Sequence, residues 1–211
     1  MFTGLVRFIG TLESRRDRAG GGRLRIAASP ELLDRAESGA SICVNGACLT
    51  AVARDGSAWE ADLSTETLQK TTLGRLAAGA KLHLEPSLRV GDPLDGHQVS
   101  GHVDGVGRLL ERPRDEGLWR FSMPLELAAM MAPKGSVTVD GISLTVVDCG
   151  QDWFTVALIP ETVRRTRLEA MAGSAEVNLE VDPVGRFVAR ALALQAATGK
   201  LQQFARGGWA P

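Results

Sequence analysis

The chain has 211 residues, with 24 basic and 25 acidic side chains and a formal net charge of −1. That length allows one or two domains with a core of their own, and the balanced charge argues against a general nucleic-acid binder, which needs a basic face. The sequence contains no run of ~18 apolar residues, which excludes a membrane-spanning helix.

In chain order, the opening MFTGLVRFIGTLESRR has no basic n-region and only a short apolar stretch, unlike a secretion signal. Short strands are expected at 4–12 and 23–27, followed by a short helix at Pro30-Glu-Leu-Leu-Asp, with proline in its first turn. SICVNGACLTAV sets Asn45-Gly46 between two β-prone runs. A type I′ hairpin turn needs positive φ at both central residues, which this pair supplies. The hairpin places Val44 opposite Ala47 and Cys43 opposite Cys48. Strands at 58–63 and 81–85 complete the first half, and PSLRVGDPLDG at 86–96, with two prolines and two glycines, is the expected linker.

The second half predicts strands at 101–110, 118–122, 153–159 and 176–181, a short helix from Pro124, and a hairpin turning at Asp140-Gly141. Asp182-Pro183 is an N-cap and first-turn pair opening VGRFVARALALQAATG, with Val184, Phe187, Val188, Ala191 and Leu194 or Gln195 on one face. With no barrel of its own to cover, this helix is expected to pack against copies of itself in an oligomer. The tail LQQFARGGWAP is expected to fray.

The two halves repeat one another. GASICVNGACLTAV from residue 39 matches KGSVTVDGISLTVV from 134, LSTETLQKTTL from 63 matches LIPETVRRTRL from 158, and AGAKLHLE from 78 matches GSAEVNLE from 173, all at an offset of 95. TGLVRFIGTLE from residue 3 matches the segment from Ser100 at an offset of 97. A period of this length is that of a small domain, too long for a solenoid unit. Many short strands with glycine turns suggest a small closed barrel in each half. The expected organisation is 1–96 for the first domain with its linker, 97–182 for the second, and 183–211 for the helix and tail.

Three cysteines, Cys43, Cys48 and Cys149, form an odd set in a chain of this size, which favours reduced thiols in a cytoplasmic compartment. Without a C-x-x-C motif, the histidines His83, His97 and His102 are a poor metal inventory, and no metal is expected. The copies differ at chemically informative places: Cys48 corresponds to Ser143, Leu5 to His102 and Asn45 to Asp140. Each has a plain structural role open to it. Cys48 suits a small buried apolar position, His102 a hydrogen-bonded structural or surface one, Asp182 a helix N-cap, and Asn45 and Asp140 suit turns. Arg164, Arg165 and Arg167 suit a solvated face.

The motifs MFTGLV, NGACLT, GHQVSGHVDG, DGISLTV and LIPET, in this order, closely resemble the riboflavin synthase α-chain family. The resemblance spans nearly the whole chain. It implies an all-β chain of two tandem six-stranded antiparallel Greek-key barrels with a C-terminal helix, assembled as a homotrimer. The activity it implies is dismutation of two molecules of 6,7-dimethyl-8-ribityllumazine to riboflavin and 5-amino-6-ribitylamino-uracil, without a cofactor. Association with lumazine synthase is a further implied partnership; nucleic acid and membrane are not. By motif match, a first pocket comprises Gly4, Leu5, Val6, Cys48, Leu49, Thr50, Asp62, Leu63, Ser64, Thr65, Glu66 and Thr67. A second comprises Gly101, His102, Val103, Lys134, Ser143, Leu144, Thr145, Ala157, Leu158, Ile159, Pro160, Glu161 and Thr162. The resemblance points to His102, Cys48, Ser143 and Asp182 as the residues carrying catalysis, in a site between the first barrel of one subunit and the second barrel of a neighbour. The alternative is a lumazine-protein-like binder with the same barrels and no turnover, against which the intact Ser-Gly-His, Ser-Leu-Thr and Pro-Glu-Thr of the second repeat argue. A flavin-reductase barrel is excluded, since its Arg-x-Tyr-Ser signature needs a tyrosine.

Overall fold

The structure, a computed structural model, describes residues 1–114 and 117–198. It contains two closed six-stranded antiparallel barrels. The first comprises β1 (Phe8–Arg18), β2 (Gly21–Ala27), β3 (Ser41–Val44), β4 (Ala47–Arg54), β5 (Ala58–Ser64) and β6 (Lys81–Pro86). The second comprises β7 (Gly105–Glu111), β8 (Leu118–Ser122), β9 (Ser136–Val139), β10 (Ile142–Cys149), β11 (Trp153–Ala157) and β12 (Glu176–Val181). Around the first barrel the order is β1-β2-β5-β4-β3-β6, and the second repeats it six strands on. In each, a three-strand meander returns to lie beside an earlier strand through a long connection, which is the Greek-key pattern.

Side-chain alternation explains which faces meet. β2 alternates half-buried and buried along its length, as a barrel strand with one solvated face must. By contrast, β3, β6, β9 and β12 are buried almost continuously. These four strands are covered on both faces, because their outer sides meet at the inter-barrel boundary. Both predicted hairpins form: Val44 faces Ala47 and Cys43 faces Cys48, with Asn45 at φ 45° and Asp140 at φ 48°. The barrels turn their corners at matching bulges, at Leu12/Ser14 and Leu109/Glu111, and again at Ala51/Ala53 and Val146/Asp148.

Three features differ from expectation. The strands expected from residues 4 and 101 begin at Phe8 and Gly105, because the preceding segments leave their own barrel and pair across to the other. The strand expected at 153–159 ends at Ala157, while the short helix expected from Pro124 forms as a 3-10 helix, Leu125–Met130. Two short helices not foreseen, α2 (Thr65–Lys70) and α3 (Pro160–Arg165), follow β5 and β11. Pro30–Leu33 forms the expected helix α1. The C-terminal helix α4 (Pro183–Thr198) forms as predicted, with the Asp182 carboxylate accepting from the Val184 N–H at 2.8 Å. The predicted frayed tail lies outside the described residues.

A buried polar cluster joins the barrels along the pseudo-twofold relation. Asn45 Oδ1 accepts from the His83 N–H at 2.8 Å, and Asp140 Oδ1 accepts from the Asn178 N–H at 2.8 Å. Across the boundary, Asn178 Nδ2 donates to the Asn45 carbonyl at 2.7 Å, and His83 Nδ1 meets the Asp140 carbonyl at 2.9 Å. The Arg167 N–H donates to His83 Nε2 at 2.9 Å, so the ring is neutral with its hydrogen on Nδ1. Burial lowers the His83 pKa to about 4. Arg167 therefore does not lie on a solvated face: its guanidinium is held 2.6 Å from the fully buried Asp140 carboxylate.

Candidate functional site

Two crossing segments build the site. Phe2 and Val99 pair as an antiparallel bridge at the boundary. Beyond it, the Gly4 carbonyl accepts from the Ser143 N–H at 2.7 Å, and the Gly101 carbonyl accepts from the Cys48 N–H at 2.8 Å. The N-terminal segment thus lines the second barrel, and the segment after the linker lines the first. Val6 packs on the second core and Val103 on the first. Glycine is required at both crossings. Gly4 (φ 76°) and Gly101 (φ 79°) are left-handed, and a Cβ on either would lie 2.6 Å from the Cβ of Ser143 or Cys48.

Two buried carboxylates hold these segments. Glu85 accepts from the N–H and hydroxyl of Thr3 and from the Gly4 N–H, at 2.7, 2.8 and 3.0 Å. Glu180 accepts in the same way from Ser100 and from the Gly101 N–H, the latter at 2.9 Å. Burial pushes both carboxyls above the usual range, against these hydrogen bonds.

The motif-matched pockets are therefore exchanged in part. Gly4, Leu5 and Val6 join Ser143, and Gly101, His102 and Val103 join Cys48. In the first barrel a cavity of about 420 Å³ is lined by Cys48, Glu66, Thr67, Gly101, His102 and Val103, with Ala47, Lys70, Thr71 and Asp104 as members the sequence did not mark. Its size falls within the range of small-molecule sites. Ser64 caps α2 by accepting from the Thr67 N–H at 3.1 Å, which orients this wall. Leu49 and Leu63 point into the core instead, and Asp62 lies on the outer face, paired with Arg18 and Arg23. Thr50 and Thr65 are exposed.

In the second barrel, Ser143 is half-buried, and His97 Nδ1 lies 2.7 Å from its hydroxyl oxygen. The repeat does not mark His97, because it lies between the linker ending at residue 96 and the matched block that begins at Ser100. Leu144 belongs to the core, while Thr145 is exposed. Ala157, Leu158, Ile159 and Pro160 line a cavity of about 740 Å³ with Trp119 and Arg112. The exposed Glu161 pairs with Arg164 at 2.8 Å and with Arg165. Thr162 accepts the Thr166 hydroxyl on its carbonyl at 2.7 Å. Lys134 is exposed and left-handed (φ 69°), where the first repeat has Gly39. Asp182, capping α4, acts electrostatically on His97. Among the described residues no cluster of histidine, cysteine and carboxylate side chains has the makings of a metal site.

Paired barrels, each with a ligand-sized cavity, fit a duplicated small-molecule-binding protein, and comparison with known proteins specifies the class. The lumazine binding domain family matches residues 3–87 and 100–182. Riboflavin synthase of Mycobacterium tuberculosis is 43% identical over 198 residues, covering 90% of this chain and 97% of that protein. Riboflavin synthase of Bacillus subtilis is 35% identical over 205 residues, covering 96% and 94%. The chain belongs to the lumazine-binding family of riboflavin synthases. The structure of LumP complexed with riboflavin shares the fold, with a TM-score of 0.78 at 23% identity, covering 86% of this chain and 100% of that one.

Proposed function

We propose that this enzyme is a transferase that dismutates two molecules of 6,7-dimethyl-8-ribityllumazine, moving a four-carbon unit from one to the other. The products are riboflavin and 5-amino-6-ribitylamino-uracil. The observation that carries this reading is the pair of matching crossings at Cys48 and Ser143, each covered by a segment from the other barrel, the one at Cys48 lining a cavity. Two equivalent crossings in a duplicated chain suit two copies of one substrate. The chemistry asks little of a cofactor: an acidic methyl proton leaves one ring, and an electrophilic ring carbon of the other accepts a nucleophile. Holding the rings face to face removes much of the entropic barrier, an effect of up to ~7–11 kcal/mol in the best intramolecular cases.

Within this reading, His102, beside Cys48, is the base or proton shuttle. Cys48 and Ser143 hydrogen-bond the ring or activate the attacking group. Glu66, Thr67, Glu161 and Thr162 suit the hydroxyls of a ribityl chain. Asp182 joins the second site while capping α4. The left-handed backbone of Lys134 costs roughly 1–2 kcal/mol relative to glycine, a cost consistent with presenting its ammonium to a ligand. The enzyme is read as a cytoplasmic homotrimer, with each active centre formed from the first barrel of one subunit and the second of its neighbour. Lumazine synthase is a candidate partner.

Intact LumP-type structures at lower identity favour a second reading, a binder without turnover. Incubation of the purified protein with the lumazine alone separates them. Riboflavin should accumulate at one molecule for about two lumazines consumed, since one ring must donate its carbons to the other. A lumazine held unchanged would establish the binder.

A further inference from the structure

We propose that His97 is a positioning residue of the second site, holding the Ser143 hydroxyl so that its oxygen faces the ligand as an acceptor. The inference rests on the reading of Ser143 as a site residue and adds the group that sets its hydrogen. Three observations carry it. His97 Nδ1 lies 2.7 Å from Ser143 Oγ. The backbone beneath the ring is fixed, since the His97 N–H donates to the Thr3 carbonyl at 3.2 Å and Val99 pairs with Phe2 two residues on. The turn lies directly on the serine: a Cβ at Gly96 would stand 2.0 Å from the Thr3 carbonyl oxygen and 3.2 Å from Ser143 Oγ.

A hydroxyl has one hydrogen and two lone-pair directions. When a neutral imidazole accepts that hydrogen at Nδ1, the lone pairs of Oγ are left for the pocket. A protonated ring donates from Nδ1 instead and turns the serine hydrogen toward the ligand. The surroundings favour the neutral ring: burial lowers the His97 pKa, opposed by the Asp182 carboxylate at the start of α4. Ser143 on β10 and Thr3 in the N-terminal segment, its hydrogen-bonding neighbours, carry no charge. The arrangement is not repeated in the first barrel. Cys48 receives its crossing segment in the same way, yet among the described residues no imidazole is hydrogen-bonded to it. The two crossings are thereby made chemically unequal, with the oriented hydroxyl belonging to the second alone.

The test compares the full-length wild type with His97→Ala, His97→Asn, Ser143→Ala and the His97→Ala/Ser143→Ala pair, using the lumazine as substrate from about pH 5 to 8, the range in which a histidine titrates. His97→Ala should lower kcat about 10- to 100-fold with KM little changed, as for loss of an interaction used in the transition state. Adding it to Ser143→Ala should cost nothing more, since the two act as a unit. His97→Asn, whose amide oxygen accepts the same hydrogen without titrating, should keep most activity and lose the acid limb of the rate profile. Asparagine at this position also guards against a simple folding failure of the alanine variant. Additive losses, or an acid limb unchanged in His97→Asn, would overturn the proposal. A fully active Ser143→Ala would overturn it at its base, by removing Ser143 from the site, whereas an inactive wild type would instead refute the proposed turnover.

Discussion

The Asp140 carboxylate is fully buried, and the Arg167 guanidinium and the Asn178 N–H are the groups that hold it. Removing one partner of such a pair leaves a buried charge uncompensated. Arg167→Thr should therefore destabilise the protein by on the order of 3 kcal/mol in denaturant unfolding. The first repeat carries Asn45 and Thr72 at the corresponding places, an uncharged pair. Asp140→Asn/Arg167→Thr copies that pair and should recover most of the loss; equal destabilisation of the single and double variants would show that the ion pair is not the cause. The turn function of Asp140 was legible in the sequence, because Asp-Gly between β-prone runs specifies positive φ. Its pairing with Arg167 was not. Three arginines in four residues resemble a solvated patch, and only the closing of the barrels brings Arg167 under the second hairpin while Arg164 and Arg165 stay outside with Glu161.

Among the elements, α4 carries a run of exposed apolar side chains. Gly185 crosses the 3-10 helix closely enough that a Cβ would meet the Met130 carbonyl at 2.8 Å, and Arg186 pairs with Asp104 at 2.8 Å. Beyond this anchor Val184, Phe187, Val188 and Leu192 are exposed, Phe187 by 75%. A contiguous apolar face of this kind marks an interaction surface. Deletion from Pro183 onward should reduce the sedimentation mass from the proposed trimer toward the monomer while preserving β-sheet circular dichroism; an unchanged mass would assign assembly to the barrels instead. The helix was legible because its cap, first-turn proline and apolar period coincide. α2 and α3 were not, since six-residue helices inside long connections show less than two turns of period.

For the whole molecule, duplication was readable from four matched blocks, while the exchange of segments between barrels was not. A repeat alignment pairs residue with residue in chain order. It therefore assigned Gly4–Val6 to the barrel that follows them, although the backbone carries them across to Ser143. The information resides in geometry: the short Phe2–Val99 bridge, and the two glycines whose missing Cβ atoms admit the neighbouring barrel. With a crossing segment beside both Cys48 and Ser143, the proposed reaction requires that the first-barrel site of one subunit and the second-barrel site of another face each other. The direct test is complementation. His102→Ala, impaired in the first-barrel site, and Ser143→Ala, impaired in the second-barrel site, are co-expressed with different tags, and oligomers carrying both tags are purified. Shared centres predict that these mixed oligomers recover turnover, up to about a third of the wild-type rate, since a mixed trimer has one centre of three built from the two intact barrels. Mixed oligomers no more active than either variant alone would contradict the account and confine each reaction to a single chain.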